Sequence, residues 1–199
     1  MTILIYYFTR QQRYYKMDWV KLAKEVGFEA ACELNMETLT VLPEVREMCS
    51  ADKCGAYGKR WSCPPGCGDL SFCRKRIASY ASGLLLQTTG PLEDAFDLRG
   101  IAAAQEEHSR RFAALARQIR HFQRDCLPLA AGACTRCEVC TYPSKPCRFP
   151  GKMFSSMEAY GLLVSDICQK NHIPYYHGEN TISFTSCILL DKKETPDDC

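Results

Sequence analysis

The chain has 199 residues, of which 46% are hydrophobic and 24% are charged, and its net charge is +2. This length indicates one domain, or at most two small ones, with enough apolar residues to form a stable core without disulfides or structural metals. The nearly balanced charge gives no electrostatic basis for binding to nucleic acid or to a membrane.

Fourteen of the residues are cysteines, a number that would indicate disulfides in a short secreted chain. The first residues, MTILIYYF, lack the basic start and the small-residue cleavage site of a signal peptide. They are also too few to span a bilayer. We therefore interpret the cysteines as reduced metal ligands in a cytoplasmic protein.

The first part of the chain predicts short elements. Residues 1–16 begin as an apolar run and become basic and aromatic, and we interpret them as a loosely held N-terminal extension or an edge strand. Asp18 is placed to cap a helix that ends at Gly27. Residues 28–33 predict a strand with Cys32 buried in it, and residues 43–48 predict a helix with proline in its first turn.

A first group of cysteines follows in a segment rich in glycine and proline, which predicts a loop. Backbone amides of such a loop can approach a ligand closely, and Lys59 and Arg60 would lower the pKa of neighbouring thiols. The spacing matches no standard zinc or ferredoxin pattern. Cys73, on a helix predicted over residues 69–81, is an open candidate; the predicted ligands are Cys49, Cys54, Cys63 and Cys67.

The middle of the chain predicts a strand, a long helix and a second strand. Residues 82–89 are apolar enough for a buried strand, and Gly90-Pro91 predicts a break after it. Apolar residues at steps of three and four predict a helix over residues 94–124. His108 lies on its apolar stripe, so we interpret it as a core histidine rather than a ligand. Residues 127–133 predict a strand.

The second group of cysteines has the most informative spacing. Three cysteines are each separated by two residues, and six further residues separate the third from the fourth. Tight loops of this kind wrap thiolates around one centre, as a cubane iron–sulfur cluster requires, and bacterial ferredoxins use the same triple spacing. Zinc sites more often use two separated pairs. We predict an iron–sulfur site, with zinc as the first alternative and inert thiols or disulfides as the second; its ligands are Cys134, Cys137, Cys140 and Cys147.

The C-terminal part predicts a helix and a hairpin. Ser155 and Glu158 form a capping-box pattern before a helix over residues 157–171, whose N-terminus either faces an anionic group or is an ordinary cap. Residues 173–177 and 181–190 predict paired strands. Cys187 alternates with apolar neighbours and is predicted to be buried, although it remains a candidate extra ligand. Residues 191–199 predict a polar tail.

These elements predict an α+β fold with one domain. We expect a mixed sheet of about five strands flanked by three or four helices, with both cysteine loops at one end of it. The predicted organisation is an N-terminal extension (1–16), a cysteine-rich metal-binding domain (17–190) and a tail (191–199). No Walker sequence, dinucleotide-binding glycine motif, HExxH or nucleophile elbow occurs in the chain.

Three motifs in order, CGAYGKRWSCPPGCG, GACTRCEVCTYPSKPCRFP and SSMEAYGLLVSDIC, together resemble the cysteine-rich predicted metal-binding family named domain of unknown function 2284. The closing NTISFTSCILL is similar to the C-terminal strand of that family. The resemblance covers about residues 17–190. It implies a metal or iron–sulfur site built from the two cysteine groups, in a family found mainly in anaerobic bacteria and archaea.

Three functions are compatible with this sequence. The first is an iron–sulfur protein with two [4Fe-4S] clusters that transfers electrons to an anaerobic enzyme partner. The second is an iron–sulfur enzyme of the non-redox lyase or desulfidase type, in which one cluster iron is open to a small-molecule substrate. The third is a structural zinc-binding adaptor. An exposed cluster loop is also compatible with a homodimer.

Overall fold

The computed structural model describes residues 17–193. The predicted N-terminal extension and residues 194–199 of the predicted tail lie outside the described residues. The described chain forms one α+β domain with a mixed sheet of five strands, which confirms the predicted fold class.

Helices and strands follow one another along the described chain without a long irregular segment, except around the two cysteine groups. The α-helices are α1 (Trp19–Val26), α2 (Pro43–Ser50), α3 (Leu70–Ala78), α4 (Leu98–Phe122) and α5 (Val164–Lys170). The strands are β1 (Ala30–Glu33), β2 (Tyr80–Pro91), β3 (Leu127–Ala130), β4 (Ser155–Ser156) and β5 (Thr181–Lys192). No helix within residues 17–193, including the long α4, is apolar enough over sufficient length to cross a membrane.

Two long antiparallel strands form the centre of the sheet, whose order is β1-β2-β5-β3-β4. β2 and β5 pair from Tyr80 opposite Lys192 to Pro91 opposite Thr181. β1 pairs with the free side of β2, whereas β3 lies antiparallel to β5 and parallel to β4. The sheet is therefore mixed because of the short β3–β4 pair alone.

The predicted break at Gly90-Pro91 is wrong, because β2 continues through both residues. Gly90 pairs with Ile182, and a Cβ atom added at Gly90 would lie 2.6 Å from Ala104 Cβ on α4. The glycine therefore allows the helix to pack closely against the strand.

Helices cover both faces of the sheet. Leu84 and Leu86 of β2 point to one face, where they pack with Phe112 and Leu115 of α4. Leu85 points to the opposite face, which α3 and α5 cover. This alternation follows from the two-residue period of a strand, and it explains why β2 reads as a continuous apolar run when both faces are buried.

His108 of α4 is a polar residue inside the first of these cores, with 1% of its surface exposed. Its Nδ1 atom lies 2.9 Å from Thr88 Oγ1, and its Nε2 atom lies 3.0 Å from Ser186 Oγ. Both ring nitrogens therefore have partners on the two central strands, as expected for a core histidine.

The predicted cap of Asp18 is confirmed, and the structure shows an aspartate cap at two further helices. Asp18 accepts a hydrogen bond from the backbone N of Lys21 at 2.9 Å, and α1 ends at Gly27, which has a φ of 111°. Asp69 caps α3, and Asp97 caps α4. These side chains satisfy backbone donors that have no partner within the helix.

The helix predicted over residues 157–171 is wrong in its first half. Residues 155–156 form β4, a 3₁₀ turn covers Glu158–Tyr160, and α5 begins only at Val164. Gly161 has a φ of 79°, which interrupts the helix. The predicted capping box of Ser155 and Glu158 does not cap this turn; instead, Ser156 Oγ accepts a hydrogen bond from the backbone N of Ala159 at 3.1 Å.

The predicted strand at residues 173–177, and with it the predicted hairpin, is also wrong. The buried Gln87 side chain donates from Nε2 to the Pro174 carbonyl at 2.9 Å, and its Oε1 atom lies 2.8 Å from His177 Nε2. Residues 173–177 are therefore held by a side chain of β2 and do not pair with β5. The strands that pair with β5 are β2 and β3. β5 extends through Lys192, two residues into the predicted tail.

Replacing Gly161 with alanine tests the interrupted helix by the sign of its effect. In a continuous helix, alanine would stabilise the protein by about 1 kcal/mol. In the observed turn, the positive φ strains alanine by about 1–2 kcal/mol, and its Cβ would lie 3.0 Å from Val41 Cγ1. We expect a loss of about 1–3 kcal/mol in the free energy of unfolding, measured by urea denaturation.

Gly151→Ala is the control for that measurement, because nothing lies within 4 Å of a Cβ atom at Gly151. Its stability should remain within about 0.5 kcal/mol of the unaltered protein. A stabilised Gly161→Ala variant would contradict the turn.

Candidate metal centre

The second cysteine group lies in the loop that connects β3 with β4, and its thiols share one cavity. The enclosed part of the cavity is small, about 20 Å³. Arg60 and Met153 contribute to its wall. All four predicted ligands of the group line this cavity: Cys134, Cys137, Cys140 and Cys147. The structure thus brings the four residues together around one space.

Residues 60–62 of the first cysteine loop form part of the wall of this cavity. Arg60 Nη1 donates to the carbonyl of Cys134 at 2.9 Å and to that of Cys137 at 3.3 Å. The backbone N of Cys134 donates to Ser62 Oγ at 3.1 Å. The two loops, more than 70 residues apart in the chain, are therefore hydrogen-bonded to each other.

Trp61 fixes the far side of the second loop. Its Nε1 atom donates to the Lys145 carbonyl at 3.0 Å, and its ring packs edge-on against Tyr142 with the centroids 4.9 Å apart. Gly66 is confined by the same residues, because a Cβ atom there would lie 2.8 Å from the Arg60 carbonyl. Sequence reasoning did not anticipate this wall.

The environment of Cys140 favours its thiolate. Burial opposes ionisation, but hydrogen bonds from the backbone of Tyr142 and Trp61, together with the positive charge of Arg60, hold the pKa of the Cys140 thiol below its usual value. Amides that point at sulfur are also what stabilises and tunes an iron–sulfur cluster. One of these amides comes from the first loop.

The predicted role of Lys59 changes in the structure. Its Nζ atom forms an ion pair with Asp52 Oδ2 at 2.9 Å, so its charge is locally compensated. Arg60, in contrast, points its guanidinium at the second loop. The cationic neighbour of the cysteines is therefore Arg60, and it acts on both groups because its charge also offsets part of the rise that burial causes in the pKa of Cys63.

Three cysteines of the first group lie near one another. Cys49 belongs to the last turn of α2 rather than to the predicted loop, Cys54 is exposed, and Cys63 is buried. Burial raises the pKa of the Cys49 and Cys63 thiols, and the neighbouring thiols raise both further. Cys134 of the second group is among the neighbours of Cys63, so the two groups adjoin.

Glu158 is a carboxyl group of this first site that sequence reasoning assigned only to a helix cap. Burial raises its pKa, and its negative charge is the second cause, after burial, of the raised pKa of Cys49. The Cys49 thiol donates to the Glu158 carbonyl at 3.9 Å. No signal in the sequence places Glu158 here, because 109 residues separate it from Cys49.

Cys67 is turned towards Cys73 of α3. A hydrogen bond between the two thiols, followed by burial, raises the pKa of Cys67. The same bond, together with the nearby Arg46, lowers the pKa of Cys73 to about 7 although burial opposes this. Arg46 Nη2 lies 3.3 Å from Cys73 Sγ. Cys67 thus lies near Cys63 of its own group but has a separate thiol partner in Cys73.

Arg46, beside Cys73, has a buried hydrogen-bond donor without a partner among the described residues. Its Nη1 donates to the Gly68 carbonyl at 3.0 Å, but its buried Nε has no partner within the described residues. A buried donor without a partner costs about 1–3 kcal/mol. A thiolate or a cluster sulfide would satisfy it, so Arg46 suits an anionic centre.

Three cysteines outside the two predicted ligand groups contribute to the core. Cys168 and Cys187 are fully buried in the core behind β5, and burial raises the pKa of both thiols. Cys32 packs against the same core from β1. None of these residues lines the cavity of the second group. They are small core residues, as the alternation of their neighbours predicted.

The donor set fits a thiophilic metal or cluster. All 13 cysteines within residues 17–193 carry free thiols, and soft thiolates select zinc, copper(I) or iron–sulfur clusters. No three Cys, His, Asp or Glu side chains of these residues converge closely enough to hold a single ion as they stand. The four thiols of the second group line the cavity. The two ligand sets remain predictions.

A family model described as predicted metal-binding protein, domain of unknown function 2284, matches residues 32–190. The chain belongs to this family. The matched range includes both cysteine groups, Arg60 and Glu158, so metal binding is the property that the family assigns to this region. Neither a curated protein nor a solved structure matches the chain significantly.

Proposed function

We propose that this family member is a cytoplasmic iron–sulfur protein with two [4Fe-4S] clusters that transfers electrons to an enzyme partner. Cys134, Cys137, Cys140 and Cys147 would hold one cluster. Cys49, Cys54, Cys63 and Cys67 would hold the other. Such clusters exchange single electrons at potentials set by their ligands, hydrogen bonds and exposure to solvent.

The observation that carries the proposal is the shared cavity of the second cysteine group. Four thiols surround one space, and the amides of Tyr142 and Trp61 hydrogen-bond to one of the sulfurs. Zinc sites more often use two separated pairs of ligands than a run of this kind. The spacing of the first three cysteines supports the same choice.

Adjacent sites support transfer of electrons within the protein. Arg60 and Ser62 of the first loop bind the backbone at Cys134, and the thiols of Cys63 and Cys134 interact electrostatically. Two clusters held by these loops would be neighbours. The cationic Arg60 between them would offset part of the negative charge of thiolate-ligated clusters.

A specific observation favours a second candidate, an enzyme with an open cluster iron. The Cys67 thiol donates to the Ala159 carbonyl at 3.5 Å and interacts with the thiol of Cys73, whereas Cys49, Cys54 and Cys63 adjoin one another as a set of three thiols. Glu158 adjoins this set, and a carboxylate is a ligand that substrate can displace. The first group is therefore where such an iron would lie.

Metal analysis separates these functions. For protein purified without oxygen, we expect about eight irons and eight acid-labile sulfides per chain, and an electron paramagnetic resonance signal after reduction. One or two zincs without sulfide would contradict the proposal and favour the structural adaptor. If Cys67→Ala keeps all the iron whereas Cys63→Ala loses half, the first cluster has only three cysteine ligands. That result would favour the enzyme with an open cluster iron over the electron-transfer protein.

A further inference from the structure

A cleft of about 660 Å³ lies between the two cysteine groups. Cys67 of the first group and Cys147 of the second both line it, together with α3 on one side and residues 143–147 on the other. This volume falls in the range of about 300–1,000 Å³ that is typical of small-molecule sites. A molecule in the cleft would contact a cysteine of each group.

The cleft offers hydrogen-bond donors and positive charge. Arg76 of α3 donates to the Tyr160 hydroxyl at 3.2 Å and also interacts with the Tyr80 hydroxyl, and within residues 17–193 it forms no ion pair. Lys145 lines the opposite wall. Among the described residues that line the cleft, none is acidic. These features favour an anion.

Tyr160 supplies a second donor aimed at the same place. Its side chain is 2% exposed, and its hydroxyl accepts the hydrogen bond from Arg76. Within the described residues, the Tyr160 hydroxyl does not donate a hydrogen bond. A buried hydroxyl usually donates as well as accepts, so the cleft presents an unused O–H beside the guanidinium.

The remaining walls are apolar. Phe72 is 48% exposed, and the Arg76 guanidinium lies 5.8 Å from the centre of its ring. Trp61, Pro143 and Met153 also line the cleft. An aromatic side chain left this exposed at a cleft is a surface on which a flat apolar group can stack. The site therefore has an anion-binding end and an apolar body.

We infer that this cleft binds a small organic carboxylate with an aromatic or similarly apolar body. The planar guanidinium of Arg76 matches a carboxylate, which it can bind through two parallel hydrogen bonds, and Tyr160 donates a third. Phe72 and Trp61 contact the body of the ligand. The position of the ligand beside two metal sites rests on the proposed function, whereas the binding itself does not.

The test uses benzoate and phenylacetate as ligands and isothermal titration calorimetry on protein purified without oxygen. We expect saturable binding of one molecule per chain. Acetate, which lacks the ring, and benzyl alcohol, which lacks the charge, should each bind at least about tenfold more weakly than benzoate. Each of them loses one of the two contacts that hold the ligand. Inorganic phosphate that competes as well as benzoate would overturn the choice of ligand class.

Two variants locate the site. Arg76→Gln should weaken benzoate about tenfold or more, and Tyr160→Phe should weaken it several-fold while keeping the buried ring. Arg74→Gln is the matched control, because Arg74 lies on the same helix but lines another cavity and donates to the Val41 carbonyl. Absent binding, or equal affinity in Arg76→Gln and Arg74→Gln, would overturn the inference.

Metal content is measured on the same preparations, so the inference and the proposed function fail separately. Benzoate binding to a protein that contains only zinc would retain the site and reject the clusters. Eight irons without benzoate binding would retain the clusters and reject the site.

Discussion

A Cys140→Ala protein is expected to contain about half the iron and half the acid-labile sulfide of the unaltered chain, since one of two cubane clusters would be lost. Cys140 is the third cysteine of the evenly spaced run, and it lines the cavity that all four thiols of its group share. It also receives hydrogen bonds from the amides of Tyr142 and Trp61. Alanine removes the ligand and leaves no donor that could replace it.

The matched control for this variant is Cys32→Ala. Cys32 is a half-buried thiol at β1 that contacts the core rather than either cysteine loop. The Cys32→Ala protein should keep the full iron and sulfide content, determined by colorimetric assay and by the electron paramagnetic resonance spectrum of the reduced protein. Equal iron loss in both variants would contradict a cluster at the second group.

Acidification should destabilise the protein through His108 by about 2–3 kcal/mol. Burial, and to a lesser extent the charge of Arg111, lowers the pKa of His108 to about 4 in the folded chain, below the usual 6.5. The folded state therefore prefers the neutral ring. This contribution is fully present above pH 6.5 and is lost as the pH falls from there towards 4.

Urea unfolding at several values between pH 7.5 and pH 4.5 measures this effect when the unaltered protein is compared with His108→Gln. Glutamine retains polar contacts with Thr88 and Ser186 but does not titrate. Protonation of metal-binding thiols affects both proteins equally, so the difference between their slopes reports His108 alone. Parallel slopes would show that the histidine does not contribute.

The parts of the fold that local sequence determines were predictable. Asp18 and Gly27 delimit α1 through contacts within four residues of the helix ends, and the apolar stripe of α4 follows from its period. The segment at residues 157–171 has a helical pattern too, but Gly161 adopts a positive φ beside Val41 of a distant segment. A contact across 120 residues decides that turn, and no local signal reports it.

The candidate site also has one part that the sequence predicts and another part that only the structure shows. The spacing of Cys134, Cys137 and Cys140 is a local property of one loop, so the sequence predicts that these thiols can meet. Arg60 and Ser62 complete the wall of that site from the other loop, and Glu158 approaches Cys49 from beyond β4. These contacts depend on how the sheet brings remote segments together, so they became visible only in the structure.

The place of β5 in the sheet has a consequence for synthesis of the protein. β5 lies between β2 and β3 and is the last of the five strands to leave the ribosome. Until it is made, β2, which follows the first cysteine group, and β3, which precedes the second, share no neighbouring strand, although α4 packs against both. All eight predicted ligands are therefore translated before the sheet can fix their positions. Metal delivered during translation would meet flexible thiols, whereas metal delivered afterwards would meet an arranged site.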